Sequence, residues 1–120
     1  MTATSIETES GKTVARKVST ATTFLDRFMG LLARRQLDDE EGLLIKPGGS
    51  IHTMGMRFPI DLVFLDAQMR ISKIARGVRP WRITLSPGQT SCVLELTCGR
   101  ATTAGLHVGM RLVARGATHS

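Results

Sequence analysis

The sequence predicts a mostly β domain of α+β type, with one principal N-terminal helix and one short helix near the C-terminus. Three observations carry that expectation. From Gly42 onward, short apolar runs are separated by glycine and proline, the layout of a compact β-rich domain. The run Ile60-Asp-Leu-Val-Phe-Leu65 is apolar on both faces of a strand except at Asp61, which calls for a central position. Phe24, Phe28, Leu31 and Leu32 recur at the spacing of an amphipathic helix.

Residues 1–11 are rich in Thr, Ser and Glu with one large apolar residue, Ile6, and read as a disordered lead-in to a single domain over 12–116. Residues 12–19 alternate loosely around Val14 and Val18 and suit a first strand. Thr23 and Asp26 then stand in a Thr-x-x-Asp capping arrangement, in which the hydroxyl accepts from a free backbone N–H and the carboxylate reaches back. Arg27 faces away from the apolar stripe, Arg34 and Arg35 fall in the last turn, and the helix ends before Asp38-Asp39-Glu40-Glu41. Pro47-Gly48-Gly49 is a turn after the apolar run 42–45. Residues 66–69 connect the strand at 60–65 to a return strand at 70–78, and 81–85 and 91–96 add two more strands. A helical turn at 100–104, stopped by Gly105, leads to a last strand at 110–114 and a flexible tail at 117–120.

The 120 residues are 42% hydrophobic and carry a net charge of +6, unevenly distributed. Residues 1–66 hold eight basic and nine acidic side chains, whereas 67–120 hold eight basic and one acidic, so the second half favours anionic partners. No apolar run approaches the roughly 18 residues of a membrane-spanning helix. The N-terminus has acids in place of the basic start and apolar core of a signal peptide, which predicts a cytoplasmic protein with no membrane partner. Two cysteines, Cys92 and Cys98, form no disulfide framework. Nucleotide-binding glycine motifs, HExxH and paired CxxC are all absent, and no cofactor is expected.

The run Ser50-Ile-His-Thr-Met-Gly-Met-Arg-Phe-Pro-Ile-Asp-Leu-Val-Phe-Leu-Asp66 resembles the signature of a family of small bacterial and archaeal proteins known only as a domain of unknown function. Supporting pieces occur in order: Gly30-Leu31-Leu32, Gly42-Leu43-Leu44, Pro80-Trp81-Arg82, Val93-Leu94-Glu95-Leu96, and Gly105-Leu106 before Val108-Gly109. The resemblance implies a single, mostly antiparallel β domain, a small barrel or sandwich with one principal helix packed on it, and no established activity. The chain departs from the family pattern at Met110, where many members have Asp, at Thr97-Cys98, where Pro-Ala is common, and at Met54, which replaces an aromatic.

His52, Thr53, Arg57 and Asp61 form the densest polar cluster within apolar sequence. They can be drawn as an acid/base pair with an anion-holding arginine, or as structure, with Arg57 neutralising Asp61 in a central strand. Ser50 lacks the elbow geometry of a nucleophile, so no catalytic set is assigned. His52, Met54 and Met56 share one face of an extended segment and are a soft-ligand set for Cu(I), but methionines serve more simply as core filler. His107 and Cys98 would join a metal site only through tertiary structure, and no metal is expected.

Arg70, Lys73, Arg76, Arg79 and Arg82 place a cation at every third residue around Trp81, as in phosphate contact with one stacking aromatic, or as in a guarded sheet edge. The acidic run 38–41 is a solvated loop or a dock for the basic half of a second copy, so a monomer or weak homodimer is expected. Cys92 reads as a small core residue and Cys98 as the more reactive thiol. The reading carried forward is a small non-catalytic binding module. Its cleft, formed by His52, Thr53, Arg57, Asp61, Trp81 and Arg82, recognises an anionic small molecule or a protein segment. The alternatives are an enzyme using Asp61 or His52 as acid/base, and a nucleic-acid binder through Arg70 to Arg82.

Overall fold

The six-residue run at 60–65 forms a strand buried along its whole length, and the architecture is built outward from it. The computed structural model describes residues 4–21, 41–46, 51–52, 58–79, 83–85 and 87–116. In chain order the elements are β1 (Thr4–Thr8), β2 (Thr13–Ala21), β3 (Glu41–Ile45), β4 (Ile51–His52), β5 (Ile60–Leu65), β6 (Ile71–Val78), β7 (Ile83–Thr84), β8 (Cys92–Thr97), α1 (Arg100–Thr103) and β9 (Leu112–Gly116). Seven strands form one sheet in the order β6-β5-β8-β3-β2-β1-β9, and β4 pairs with β7 in a separate ribbon.

Both edges of the large sheet approach each other at one end. Arg70 and Arg111 form an isolated antiparallel bridge, flanked by bonds from the Ile71 N–H to the Met110 carbonyl (2.8 Å) and from the Leu112 N–H to the Met69 carbonyl (2.9 Å). The contact stops there, so the sheet is not closed into a barrel, one of the two forms, barrel or sandwich, that the family resemblance implies. The pairing is mostly antiparallel, as expected, with β2 and β3 the one parallel pair among the described strands. A parallel pair needs a long crossover, and residues 22–40 supply nineteen of them. The principal helix predicted from Thr23 onward falls in this connection, outside the described residues, so the described helical structure is the short α1 alone.

The N-terminal stretch, expected as a disordered lead-in, instead supplies β1, which pairs antiparallel with β2 on one side and β9 on the other. Its polar composition hides the strand. Only alternate residues need to face inward, and Ile6 and Thr8 do so while Ser5 and Glu7 stay half-buried.

Period two divides β5 between two apolar clusters. Val63 and Leu65 join Leu94, Leu96, Ile6, Val18 and Leu112 inside the curled sheet, with Ala101, Ala104 and Leu106 from α1 and its exit packed against them. Ile60, Leu62 and Phe64 lie on the opposite face with Ile45 and Val93. Each fully buried aliphatic or aromatic side chain contributes about 1.5–3 kcal/mol relative to exposure, and this two-sided burial fixes the register of β5. The β5–β6 hairpin turns where the sequence predicts. The Asp66 carboxylate accepts the N–H groups of Gln68 (2.9 Å) and Arg70 (3.0 Å), while Met69 takes a left-handed conformation (φ 64°).

Candidate functional site

Asp61 lies on the inner face of β5, has no exposed surface, and uses both carboxylate oxygens on backbone donors. The Gly77 N–H donates to Oδ1 (2.8 Å), and the N–H groups of Gly99 (3.1 Å) and Ala101 (2.9 Å) donate to Oδ2. Gly99 is the N-cap of α1, in a left-handed conformation (φ 91°), and has no side chain with which to cap. The carboxylate that a capping Asp would provide locally arrives from β5, 38 residues earlier in the chain. Gly77, also left-handed (φ 58°), turns its N–H inward where β6 slips register against β5. A buried carboxylate so surrounded ties β5, β6 and α1 together and offers a substrate no access.

Cations complete the attachment of α1. Arg100 donates from Nε to the Val14 carbonyl and from Nη2 to the Thr13 carbonyl (both 2.9 Å). Arg76 donates to Thr102 Oγ1 (3.3 Å) and the Leu106 carbonyl (3.2 Å), and Lys12 Nζ to the Thr103 carbonyl (3.1 Å). Arg70 donates to the Gly109 carbonyl (3.2 Å). Lys73 donates to the Leu85 carbonyl (2.7 Å) with its ammonium 5.5 Å from the Phe64 ring centre. Spacing by three along a strand sends successive side chains to opposite faces, so Arg70, Lys73 and Arg76 form no continuous stripe.

Of the other predicted site residues, His52 is placed by its backbone in β4, opposite Ile83 of β7. Thr53, Arg57, Trp81 and Arg82 lie outside the described residues. The ribbon nonetheless joins the two sequence segments from which the cleft was drawn, since Ile83 directly follows Arg82.

Sequence reasoning missed Glu95. It sits in β8, 1% exposed, with Leu43 of β3 and Leu62 of β5 as its cross-strand neighbours, and it is engaged by a polar partner. The alternation that puts Leu94 and Leu96 inside the curl places Glu95 on the other face, away from Asp61. The signal was available: Glu95 is the single acid after Asp66, set in the apolar run 92–96.

Among the described residues, no three His, Cys, Asp or Glu side chains are grouped to hold a metal ion. Cys98 is exposed and Cys92 buried. Burial pushes the Cys92 thiol up, with Lys46 pulling it down and Asp66 adding to the rise. Its contribution to stability is therefore full below the ordinary thiol range and is lost as pH climbs through the raised value. At neutral pH a maleimide is expected to modify Cys98 in the native protein and Cys92 only on unfolding, read by mass spectrometry with and without urea. Equal modification of both native thiols would contradict this packing of β8.

With this geometry in hand, comparison with known proteins decides the family. The family model described as "Uncharacterized ACR", DUF192, matches residues 5–114. This chain belongs to that family. The DUF192 assignment is accompanied by similarity to the UPF0127 protein of Thermococcus sibiricus, 29% identical over 93 residues and covering 74% of this chain and 60% of that protein. A UPF0127 protein of Pyrococcus furiosus is 28% identical over 105 residues, 85% of this chain and 90% of that one. The chain thus spans less than two thirds of the Thermococcus protein.

Two crystal structures share the fold. One, from Sinorhizobium meliloti 1021, is described as a "putative transcription regulator"; it has a TM-score of 0.80 at 27% identity, covering 94% of this chain and 92% of its own. The other, a protein of unknown function from Novosphingobium aromaticivorans, has a TM-score of 0.77 at 25% identity, covering 92% and 83%. The DUF192 family carries no assigned activity in these comparisons.

Proposed function

We propose that this DUF192 protein is a small non-catalytic binding module whose ligand is an anionic small molecule or an acidic protein segment, held near residues 50–61. The observation that carries the reading is the β4–β7 ribbon. It pairs Ile51 and His52 of the signature with Thr84 and Ile83, the residues that follow the Pro80-Trp81-Arg82 piece in the sequence. His52, Thr53, Arg57, Trp81 and Arg82 supply the contacts, and Asp61 contributes from the interior by fixing β5 and α1.

The surface charge favours an anion. Among the described residues, nine Lys and Arg side chains are exposed against one acid, Glu9, because Asp61 and Glu95 are buried and Glu7, Glu41 and Asp66 half-buried. The enzyme alternative loses support because Asp61 is inaccessible. Nucleic acid is a separate arm of the test, since the S. meliloti structure is described as a "putative transcription regulator". Arg70, Lys73 and Arg76 already donate to protein carbonyls, which weighs against that arm.

The test is a thermal-shift screen against sugar phosphates, nucleotides, acidic peptides, and short RNA and DNA, repeated on His52→Ala and Arg57→Ala. One anionic class is expected to stabilise the wild type, by about 2.7 kcal/mol at a hundredfold excess over Kd, and to lose its effect in either variant. A shift by nucleic acid alone that falls steeply with salt would replace this reading with the nucleic-acid one. No shift by any anion would end the binding proposal.

A further inference from the structure

Arg70 and Arg111 stand directly opposite each other at the seam where the two edges of the large sheet meet. The backbone bonds there run from Ile71 to Met110 and from Leu112 to Met69, so the two arginines exchange none themselves. In an antiparallel ladder this is the closer kind of pair, with Cα atoms about 4.5 Å apart and both side chains on one face. Like charges so placed repel, and a seam closed on them is weakened by its own side chains. Both guanidiniums are nonetheless tied down. Arg70 donates from Nη1 to the Gly109 carbonyl (3.2 Å) and Arg111 from Nε to the Gln68 carbonyl (3.1 Å), each to the residue two positions before the other arginine. A guanidinium has five N–H donors, so these bonds leave most of each fork without a protein acceptor among the described residues. Glu9 Oε2 lies 3.9 Å from Arg111 Nη1, beyond hydrogen-bond length, and an exposed ion pair of that kind contributes little. Asp66 turns its Oδ1 to the N–H groups of Gln68 and Arg70, and Glu7 is held by Arg115 (3.0 Å).

We propose that the Arg70–Arg111 seam is a binding site for a phosphate dianion, free or as the monoester of a small molecule. Two arginines rooted so close together reach a common oxyanion with the N–H groups that their carbonyl bonds leave over. The bonds formed are charge-assisted, and the planar fork suits the oxygens of a phosphoryl group better than a lysine would. The anion also removes the repulsion across the seam, so it favours the paired arrangement of the two edges over the open one. The seam is separate from residues 50–61. Leu65, the partner of Ile71, lies five residues of strand rise from Ile60, roughly 17 Å. Nor does the site need a run of cations, because Arg70 acts with Arg111 across the seam and not with Lys73 and Arg76 along the strand.

The test is amide hydrogen exchange followed by NMR on the full chain, in inorganic phosphate and in sodium chloride of equal ionic strength. The reporters are the N–H groups that close the seam, those of Ile71, Gly109 and Leu112. A tenfold excess of phosphate over Kd is expected to slow their exchange about tenfold, and chloride is expected to leave it unchanged. Arg70→Gln and Arg111→Gln are each expected to weaken phosphate binding by about tenfold or more. Glu9→Gln, which removes a competing acid, is expected to tighten it by about two- to fivefold, a gain that a purely structural arginine pair does not predict. A sugar phosphate run in parallel tells ester from free ion by which of them binds more tightly. If a Gln variant at either arginine fails to fold, the wild-type exchange and Glu9→Gln decide the question. No slowing in phosphate, equal slowing in chloride, or phosphate binding that survives both arginine variants overturns the site. Phosphate binding that is lost in Arg57→Ala and leaves the seam amides unchanged places the ion at residues 50–61, and this too overturns it.

Discussion

Replacing Asp61 with asparagine is expected to destabilise the protein by about 2–4 kcal/mol, and with alanine by about 3–5 kcal/mol. An asparagine side chain keeps one acceptor oxygen. Its amide nitrogen, itself a donor, would then confront either the Gly77 N–H or the paired N–H groups of Gly99 and Ala101. Alanine leaves all three donors without their acceptor in a site that has no exposed surface. The free energy at stake is a large share of the roughly 5–15 kcal/mol that stabilises a typical domain. Thermal unfolding of Asp61→Asn should show a melting temperature lower by about 10 °C. Native-state hydrogen exchange should accelerate first at Gly99 and Ala101, because α1 loses its anchor while β8 keeps both neighbouring strands. A variant within 1 kcal/mol of wild type, as about one neutral hydrogen bond would give, would show that Asp61 is not the clasp described above.

The second large effect is expected at Phe64, which has no exposed surface and centres the cluster of Ile60, Leu62 and Val93. Phe64→Ala should cost about 3–5 kcal/mol in urea titrations, and Phe64→Leu less, since leucine refills most of the volume. Loss of the ring also removes the seat of the Lys73 ammonium, about 0.5–1 kcal/mol at an exposed site. Lys73→Met separates the two contributions, because it leaves the ring buried. If Phe64→Ala costs under about 1 kcal/mol, the outer cluster is not a packed core.

What could be read in the sequence divides along local and non-local physics. Ile60–Leu65, its hairpin at Asp66, and the strands at Ile71–Val78 and Cys92–Thr97 are written in periodicity and turn residues that act within about ten positions. The strand Thr4–Thr8 escaped because its partners, β2 and β9, do the burying, and a single apolar residue, Ile6, sufficed. The parallel pairing of β2 with β3 has no local signature at all.

Asp61 was recognisable as a carboxylate that burial would penalise, but its partners could not be named. They are backbone groups 16 to 40 residues away, and every residue type but proline carries such a donor. Glu95 was within reach of sequence reasoning, as the one acid in a basic half, had its place in an apolar strand been weighed with its charge. The cations at every third position from Arg70 to Arg76 do not line one face, because the alternation of the strand that carries them sends successive ones to opposite sides.

The pairing of Thr4 with Gly116 and of Thr8 with Leu112 has a consequence for how the chain is made. β1 is synthesised more than a hundred positions before β9, the strand that covers one of its two hydrogen-bonding edges. During translation, that edge is open to any extended segment that drifts against it, and only the arrival of the last strand removes the hazard. Contacts so distant along the chain also close slowly, so refolding should be limited by the pairing of β1 with β9 rather than by the β5–β6 hairpin.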